Sequence, residues 1–256
     1  MMQRIDQTLC ELEREHGVRI LYAAESGSRA WGFASPDSDY DVRFVYVRPA
    51  ADYLRLTAPR DVIEYMPDDV LDVSGWDLQK ALRLLAKSNP TLFEWNNSPI
   101  VYRTTQAWQT VSAVMDSYFG FKAGLWHYLS IAYNNYHTMG TGETVRLKKY
   151  FYVIRPLLAC LWILERGTPP PMRFTHLMEA YLDASLKPVV EHLLAAKMRA
   201  SESGRGARIA ALNEYIEAQL VSLRSRIEQL PERAKPGFDA LDRLFLDIVM
   251  AGDGED

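Results

Sequence analysis

Cysteine is almost missing: the 256 residues hold two, Cys10 and Cys160, far apart and each in an apolar, helix-patterned context. That excludes a disulfide framework and a cysteine-based structural zinc site, and it makes both thiols core groups. Glycine and proline are sparse too, at 14 and 13, too few for a collagenous or low-complexity chain. No run of about 18 apolar residues occurs, so no transmembrane helix is expected. The opening stretch MMQRIDQTLCELEREHG is charged where a secretory signal would be apolar. The expectation is a soluble, cytoplasmic protein with no membrane partner. A G-x-S-x-G elbow is also lacking, so no serine is marked as a hydrolase nucleophile.

What is present is an ordinary globular composition, 48% hydrophobic and 24% charged, long enough for one large domain or two modest ones. The net charge of −4 hides an asymmetry. Residues 1–77 carry 15 Asp/Glu against 8 Lys/Arg, giving −7, whereas residues 143–175 carry 2 Glu against 6 Lys/Arg, giving +4. Acidic and basic surfaces are therefore separated along the chain, as in an enzyme that holds metal with one part and phosphate with another.

The first half reads as α/β. Residues 1–16 space Ile5, Leu9 and Leu12 as a helix that ends at Gly17. Segments 18–24, 41–47, 60–66 and 70–76 read as strands, and 78–87 as a helix stopped at Asn89-Pro90, with Asn89 as its C-cap. From about Gln106 the pattern is helical, in segments 106–139, 144–166, 174–199, 207–229 and 237–250. The expected organisation is a domain over 1–105 and an all-helical domain over 106–256, with an acidic tail, Gly252–Asp256, that frays. The six tryptophans read as core.

The informative stretch is 26–43, SGSRAWGFASPDSDYDVR. A small-residue turn at Gly27-Ser28 follows the first strand, and ten residues later Asp39-Tyr40-Asp41 runs into the second. Alternate strand residues share a face, so Asp39 and Asp41 stand side by side. Two such carboxylates repel unless a cation offsets them, and hard oxygen ligands suit Mg²⁺ or Mn²⁺. Gly27 lets backbone approach a phosphate, and the Ser28 hydroxyl can donate to it, with Arg29 and Arg43 flanking. A metal pair beside a phosphate cradle spells phosphoryl or nucleotidyl transfer.

This layout, Gly-Ser followed by Asp-x-Asp, resembles the nucleotidyltransferase superfamily typified by DNA polymerase beta. The strings GSRAWGFASPDSDYDVRFVYVRP, DVSGWDLQKALRLLAKSNPTLFEW and KKYFYVIRPLLACLWI are similar to a bacterial branch of nucleotidyltransferases associated with RNA repair. Ser26 stands where the superfamily usually has an apolar residue. The resemblance implies an α+β fold, with an N-terminal nucleotidyltransferase domain built on a mixed sheet and a C-terminal helical domain that closes the nucleotide cleft. It also implies a third carboxylate on a strand beside Asp-x-Asp. Asp72, inside VLDVSGW, is the preferred candidate for general base and metal ligand. Asp77, just before helix 78–87, is the alternative, and an N-cap role explains it better.

The second constellation is RLKKYFYVIRPL, 146–157. On a helix Lys148, Tyr152 and Arg155 share a face with Lys149 beside them, so an aromatic flanked by cations could stack a base and meet phosphates. Pro156 should kink this helix near Arg155. The nucleotide is then expected between the acidic strand face and this basic helix. The expected activity moves an NMP from an NTP to a hydroxyl, with an RNA 3′ end favoured, on two Mg²⁺ or Mn²⁺ ions held by Asp39, Asp41 and Asp72. Competing readings are an inactive nucleotide-sensing or antitoxin-like module, transfer to a small molecule or protein, and a phosphohydrolase.

Overall fold

The computed structural model describes residues 1–140, 142–199, 204–231 and 234–252; residues 253–256 of the acidic tail and 201–203 of the SESGRG stretch lie outside the described residues. In chain order the elements are α1 (Met2–His16), β1 (Arg19–Glu25), α2 (Gly27–Trp31), β2 (Tyr40–Val47), α3 (Ala50–Tyr53), β3 (Val62–Tyr65), β4 (Leu71–Asp77), α4 (Leu78–Ala86), α5 (Pro90–Asn96), β5 (Val101–Thr104) and α6 (Gln106–Met115). A 3-10 turn (Asp116–Tyr118) leads to α7 (Phe121–Thr138), β6 (Thr144–Arg146), α8 (Lys148–Arg166), α9 (Phe174–Tyr181), α10 (Lys187–Arg199), β7 (Arg205–Ala207), α11 (Ala210–Glu228) and α12 (Asp239–Gly252).

Five strands form a mixed sheet in the order β3-β4-β2-β1-β5, in which β2 and β4 run parallel and every other neighbour pair is antiparallel. Strand alternation gives β2 and β4 two unlike faces. One face carries Val42, Phe44, Tyr46, Leu71 and Val73, all buried in one cluster with Ile5, Leu9 and Leu12 of α1. These helix residues recur at i, i+4 and i+7, so a single stripe of α1 covers the sheet. The other face of the same strands brings up Asp41, Arg43, Asp72 and Ser74, which are only half-buried.

The chain forms two units, neither contiguous in sequence. One takes Met1–Gly27, Asp39–Tyr118 and the chain from Lys235, and holds the sheet; the other takes Ser28–Ser38 and Phe119–Ala234. The second unit is centred on α8, whose Phe151, Ile154, Leu157 and Leu158 are fully buried. Phe33 lies in this core, its ring 5.2 Å from Phe151 and 5.8 Å from Phe174. Burying a phenylalanine contributes roughly 2–3 kcal/mol, so this one side chain fastens the segment between the Gly-Ser turn and Asp39 to the helical core.

Several elements differ from the sequence pattern. The tract 106–139 divides into α6 and α7 at the 3-10 turn, and 174–199 divides into α9 and α10. Asn89 is not a C-cap: its side chain accepts from the Thr91 backbone N–H at 2.9 Å and N-caps α5, whose first residue is Pro90, the position where proline loses no hydrogen bond. Helix α8 runs on as one element through Pro156. Both cysteines are free, Cys160 buried and Cys10 half-buried. Among the described residues no helix is long and apolar enough to cross a membrane.

Candidate active site

The parallel register sets Asp41 directly beside Asp72. Neighbouring strands lie about 4.8 Å apart, so two ionised carboxylates in this register repel. Arg43, two residues along the same face, offsets that repulsion. Its Nη2 donates to Asp41 Oδ1 at 3.0 Å and to Asp72 Oδ2 at 2.7 Å, while Nη1 donates to the carbonyls of Val42 and Asp72, both at 3.1 Å. The three side chains stay accessible, at 18% for Arg43, 29% for Asp41 and 32% for Asp72. Arg43 engages one oxygen of each carboxylate, Asp41 Oδ1 and Asp72 Oδ2.

Three consecutive residues at the end of β1 surround Asp41. Gly27 has φ +56, and a Cβ there would stand 2.0 Å from Asp41 Oδ2. Only glycine meets both conditions, the left-handed backbone and the space taken by the carboxylate. Glu25 is the residue that the sequence reading missed. It is fully buried; its Oε1 accepts from the Asp41 backbone N–H at 2.8 Å, its Oε2 from the Tyr102 hydroxyl, and its carbonyl from Ser98 Oγ at 2.6 Å. The Ser26 N–H reaches the Asp41 carbonyl at 2.8 Å, so both backbone groups of Asp41 are held by consecutive residues. A glutamate in front of a serine and a glycine carries no local signal of burial, which only the tertiary fold creates.

Asp39 is exposed, immediately before β2 begins at Tyr40. Ser28 and Arg29 belong to the 28–38 segment of the helical unit. Ser28 is buried and its carbonyl accepts from the Phe33 N–H at 3.0 Å, while Arg29 donates to the Ser38 carbonyl at 2.6 Å. Ser35 and Ser38 close this segment through their hydroxyls, 2.9 Å apart.

Asp77 lies at the opposite end of β4 from Asp72 and on the other strand face. It N-caps α4, accepting from the Gln79 N–H at 2.8 Å, as its position before the helix predicts. Its second oxygen accepts from the Tyr53 hydroxyl at 3.0 Å and faces Arg48 Nε at 3.8 Å. Burial pushes its carboxyl above the usual range, against the lowering effect of these donors. The same surroundings push the Tyr46 phenol up to about 12.

On α8, Arg155 is 4% exposed, stacks over the Trp31 ring at 4.6 Å and donates to the Met172 carbonyl at 3.4 Å. Tyr152 meets the same indole edge-on at 5.5 Å. Trp31 is thus half-buried under a cation rather than a plain core residue. Lys148 and Lys149 sit in the first turn of α8, both half-buried, and Lys149 donates to Thr138 Oγ1 at 2.8 Å.

The donor chemistry of the sheet site fits a hard divalent cation: carboxylate oxygens only, two of them already drawn to one positive group, with Gly27 leaving room at Asp41. Among the described residues no three His, Cys, Asp or Glu side chains form a ready-made metal cage. Mg²⁺ commonly takes one or two carboxylates and completes its shell with water and substrate phosphates, so two adjacent aspartates suffice.

A mixed sheet with Gly27-Ser28 at the end of one strand, and paired acids on its next two neighbours, is the fold that the sequence resemblance implies. The chain belongs to the RNA repair pathway DNA polymerase beta family, RlaP, whose model matches residues 1–247. The uncharacterized protein YcgL of Bacillus subtilis is 44% identical over 251 residues, 97% of this chain and 96% of that one. A crystal structure of a nucleotidyltransferase-like protein from Exiguobacterium sibiricum aligns over 88% of this chain and 74% of its own, with a TM-score of 0.31 and 16% identity.

Proposed function

We propose that the protein transfers a nucleoside monophosphate from an NTP to a hydroxyl, with the 3′ end of an RNA as acceptor and pyrophosphate as leaving group. The observation that carries this reading is the Asp41–Asp72 register pair gathered on Arg43 beside a glycine that cannot be replaced without striking Asp41. The family description supplies the RNA side of the reading.

Asp41 and Asp72, with Asp39 ahead of them, would hold Mg²⁺ or Mn²⁺, which supplies charge neutralisation at the triphosphate and lowers the pKa of the attacking hydroxyl. Asp72 accepts the proton of that hydroxyl. The hydroxyl oxygen then bonds to the α-phosphorus, the bond from that phosphorus to the α–β bridging oxygen breaks, and the electron pair leaves on pyrophosphate. Arg43 keeps the two carboxylates together when no metal is bound. Gly27 lets the triphosphate approach backbone, with Ser28 and Arg29 following it in sequence. Glu25 holds Asp41 through its backbone N–H.

The test is incubation with each α-labelled NTP, Mg²⁺ or Mn²⁺, and RNA ending in a 3′-hydroxyl or a 3′-phosphate. The expected result is label on the hydroxyl-ended RNA alone, with stoichiometric pyrophosphate. Release of orthophosphate without labelled RNA would establish a hydrolase, and NTP binding without turnover would establish a binding module; either result sinks the proposal.

A further inference from the structure

The short β6–β7 pair is built so that two arginines cannot avoid each other. Its register sets Arg146 opposite Arg205. Val145 is buried at 1% exposure, and a Cβ on Gly206 would meet Leu147 Cδ2 at 2.9 Å, so the middle residues of both strands face the core. Strand alternation then sends Arg146 and Arg205 to the outer face together, where both are exposed. A slip of one residue in either strand would turn that strand's arginine toward the core. Like charges directly opposite across a strand pair are destabilising.

A third cation joins them. A cavity of about 280 Å³ is lined by Arg146, Arg205 and Lys149 together with Thr138 and Thr144, and by no carboxylate among the described residues. Lys149 reaches it from the first turn of α8, with its ammonium held by Thr138 Oγ1. Arg205 is oriented by the Thr144 carbonyl at 3.4 Å. The first turn of α8 has no acidic residue and two lysines, the reverse of what a helix N-terminus favours, because its free N–H groups are already positive. Three cations and two hydroxyls, next to the first turn of a helix, favour bound anionic groups.

We infer that this surface holds backbone phosphates of an RNA strand. The arginines are exposed rather than enclosing, which suits a chain of phosphates passing over the hairpin better than a small anion sealed in a pocket. The flat guanidinium groups match phosphate oxygens in pairs. The inference rests on the proposed RNA acceptor and adds where that acceptor's backbone is gripped.

The full chain is titrated against a fluorescein-labelled single-stranded RNA by anisotropy over a series of salt concentrations. NTP binding is followed separately by the Mg²⁺-NTP-induced rise in melting temperature. In the Arg146→Gln/Arg205→Gln double variant, RNA affinity should fall about tenfold or more, and the salt slope should drop by about 0.7 for each phosphate that the protein no longer neutralises. The NTP-induced melting shift should stay. The Arg146→Lys/Arg205→Lys pair should retain the slope, which shows that the first variant is missing charge and not fold. An unchanged affinity and slope in the glutamine variant overturns the inference, as does loss of the NTP response with RNA binding intact, which would give the cavity to the nucleotide. Wild-type protein that labels RNA while the glutamine variant binds RNA normally removes this inference alone. A glutamine variant that loses RNA binding, in a protein that transfers nothing, keeps the surface and removes the proposed reaction.

Discussion

The two ends of the β2–β4 pair put the same residue types to opposite uses. At one end Asp41 and Asp72 share Arg43, with side chains 29% and 32% exposed. At the other, Asp77 faces Arg48 with 5% of its side chain exposed. The acceptors of Asp77 are taken up by the chain itself, by the Gln79 N–H, the Tyr53 hydroxyl and the Arg48 guanidinium. Asp41 and Asp72 are crowded together by register, share the Arg43 guanidinium and keep part of each side chain accessible. A carboxylate whose lone pairs are committed to backbone and side chains contributes stability. One that is kept beside a like charge and left accessible is available to a ligand.

The sharpest way to break this comparison is to remove charge at each end without changing shape. Asp72→Asn and Asp41→Asn should each lower the rate of transfer by roughly 10²–10⁴, the range for a lost proton acceptor or its equivalent. Melting temperatures should hardly move, because the lost bond to Arg43 is offset by relief of the Asp41–Asp72 repulsion. Asp77→Asn should leave transfer unchanged. Single-turnover rates with labelled NTP, beside a melt of each variant, check all three. A variant set in which Asp77→Asn is inactive and Asp72→Asn is active would exchange the roles of the two ends.

Glu25 tests whether the open end is held from behind. It is a buried carboxylate bonded to the Asp41 N–H and the Tyr102 hydroxyl. Glu25→Ala should cost about 2–4 kcal/mol, since each buried donor left without an acceptor costs about 1–3 kcal/mol. Glu25→Gln keeps an acceptor for the Asp41 N–H and should recover much of that stability. Urea midpoints of both variants measure the difference. Equal losses in Ala and Gln would show that the negative charge, rather than the hydrogen bond to Asp41, is what the site needs.

The part of this site that repeats along a strand was legible in the sequence. Asp-x-Asp entering a strand, Asp72 at a strand position and Asp77 ahead of an amphipathic helix are all read from periods of two and 3.6 residues. Glu25, the β6–β7 pair and the anchoring of 28–38 were not. Glu25 is buried by partners 16 and 77 positions away, and sequence spacing carries no trace of such pairs. Strands β6 and β7 have three residues each, too short for alternation to stand out from a helix start or a loop. Phe33 sits in a run of small and polar residues, where nothing local says that two distant helices enclose it. The helical face that Arg155 shares with Lys148 and Tyr152 says nothing of Trp31, 124 positions earlier in the chain, over which its guanidinium lies. The division of 106–139 follows from Gly120, the N-cap of α7, a signal present in the sequence but overruled by the apolar pattern on both sides.

The smallest expected effect is a dependence on pH at the buried end. Burial raises the Asp77 carboxyl above its ordinary value, so the folded protein keeps this proton to a higher pH than the unfolded chain does. The stabilisation from the protonated group is therefore complete below the ordinary carboxylate value and is lost as pH rises through the raised one. Asp77→Asn removes the titration but keeps the cap, since asparagine serves an N-terminus about as well as aspartate. Relative to wild type, the variant should gain stability on going from about pH 4 toward neutrality, by about 1.4 kcal/mol for each tenfold difference in proton affinity between the folded and unfolded states. Asp77→Ala should carry the same relative trend displaced by a loss of about 1 kcal/mol at every pH, the worth of the missing cap. Urea midpoints across that range separate the two contributions. If the difference between wild type and Asp77→Asn is flat with pH, Arg48 and Tyr53 hold the ion as well as water does, and the two ends of the strand pair then differ in access alone, not in the ease of carrying a charge.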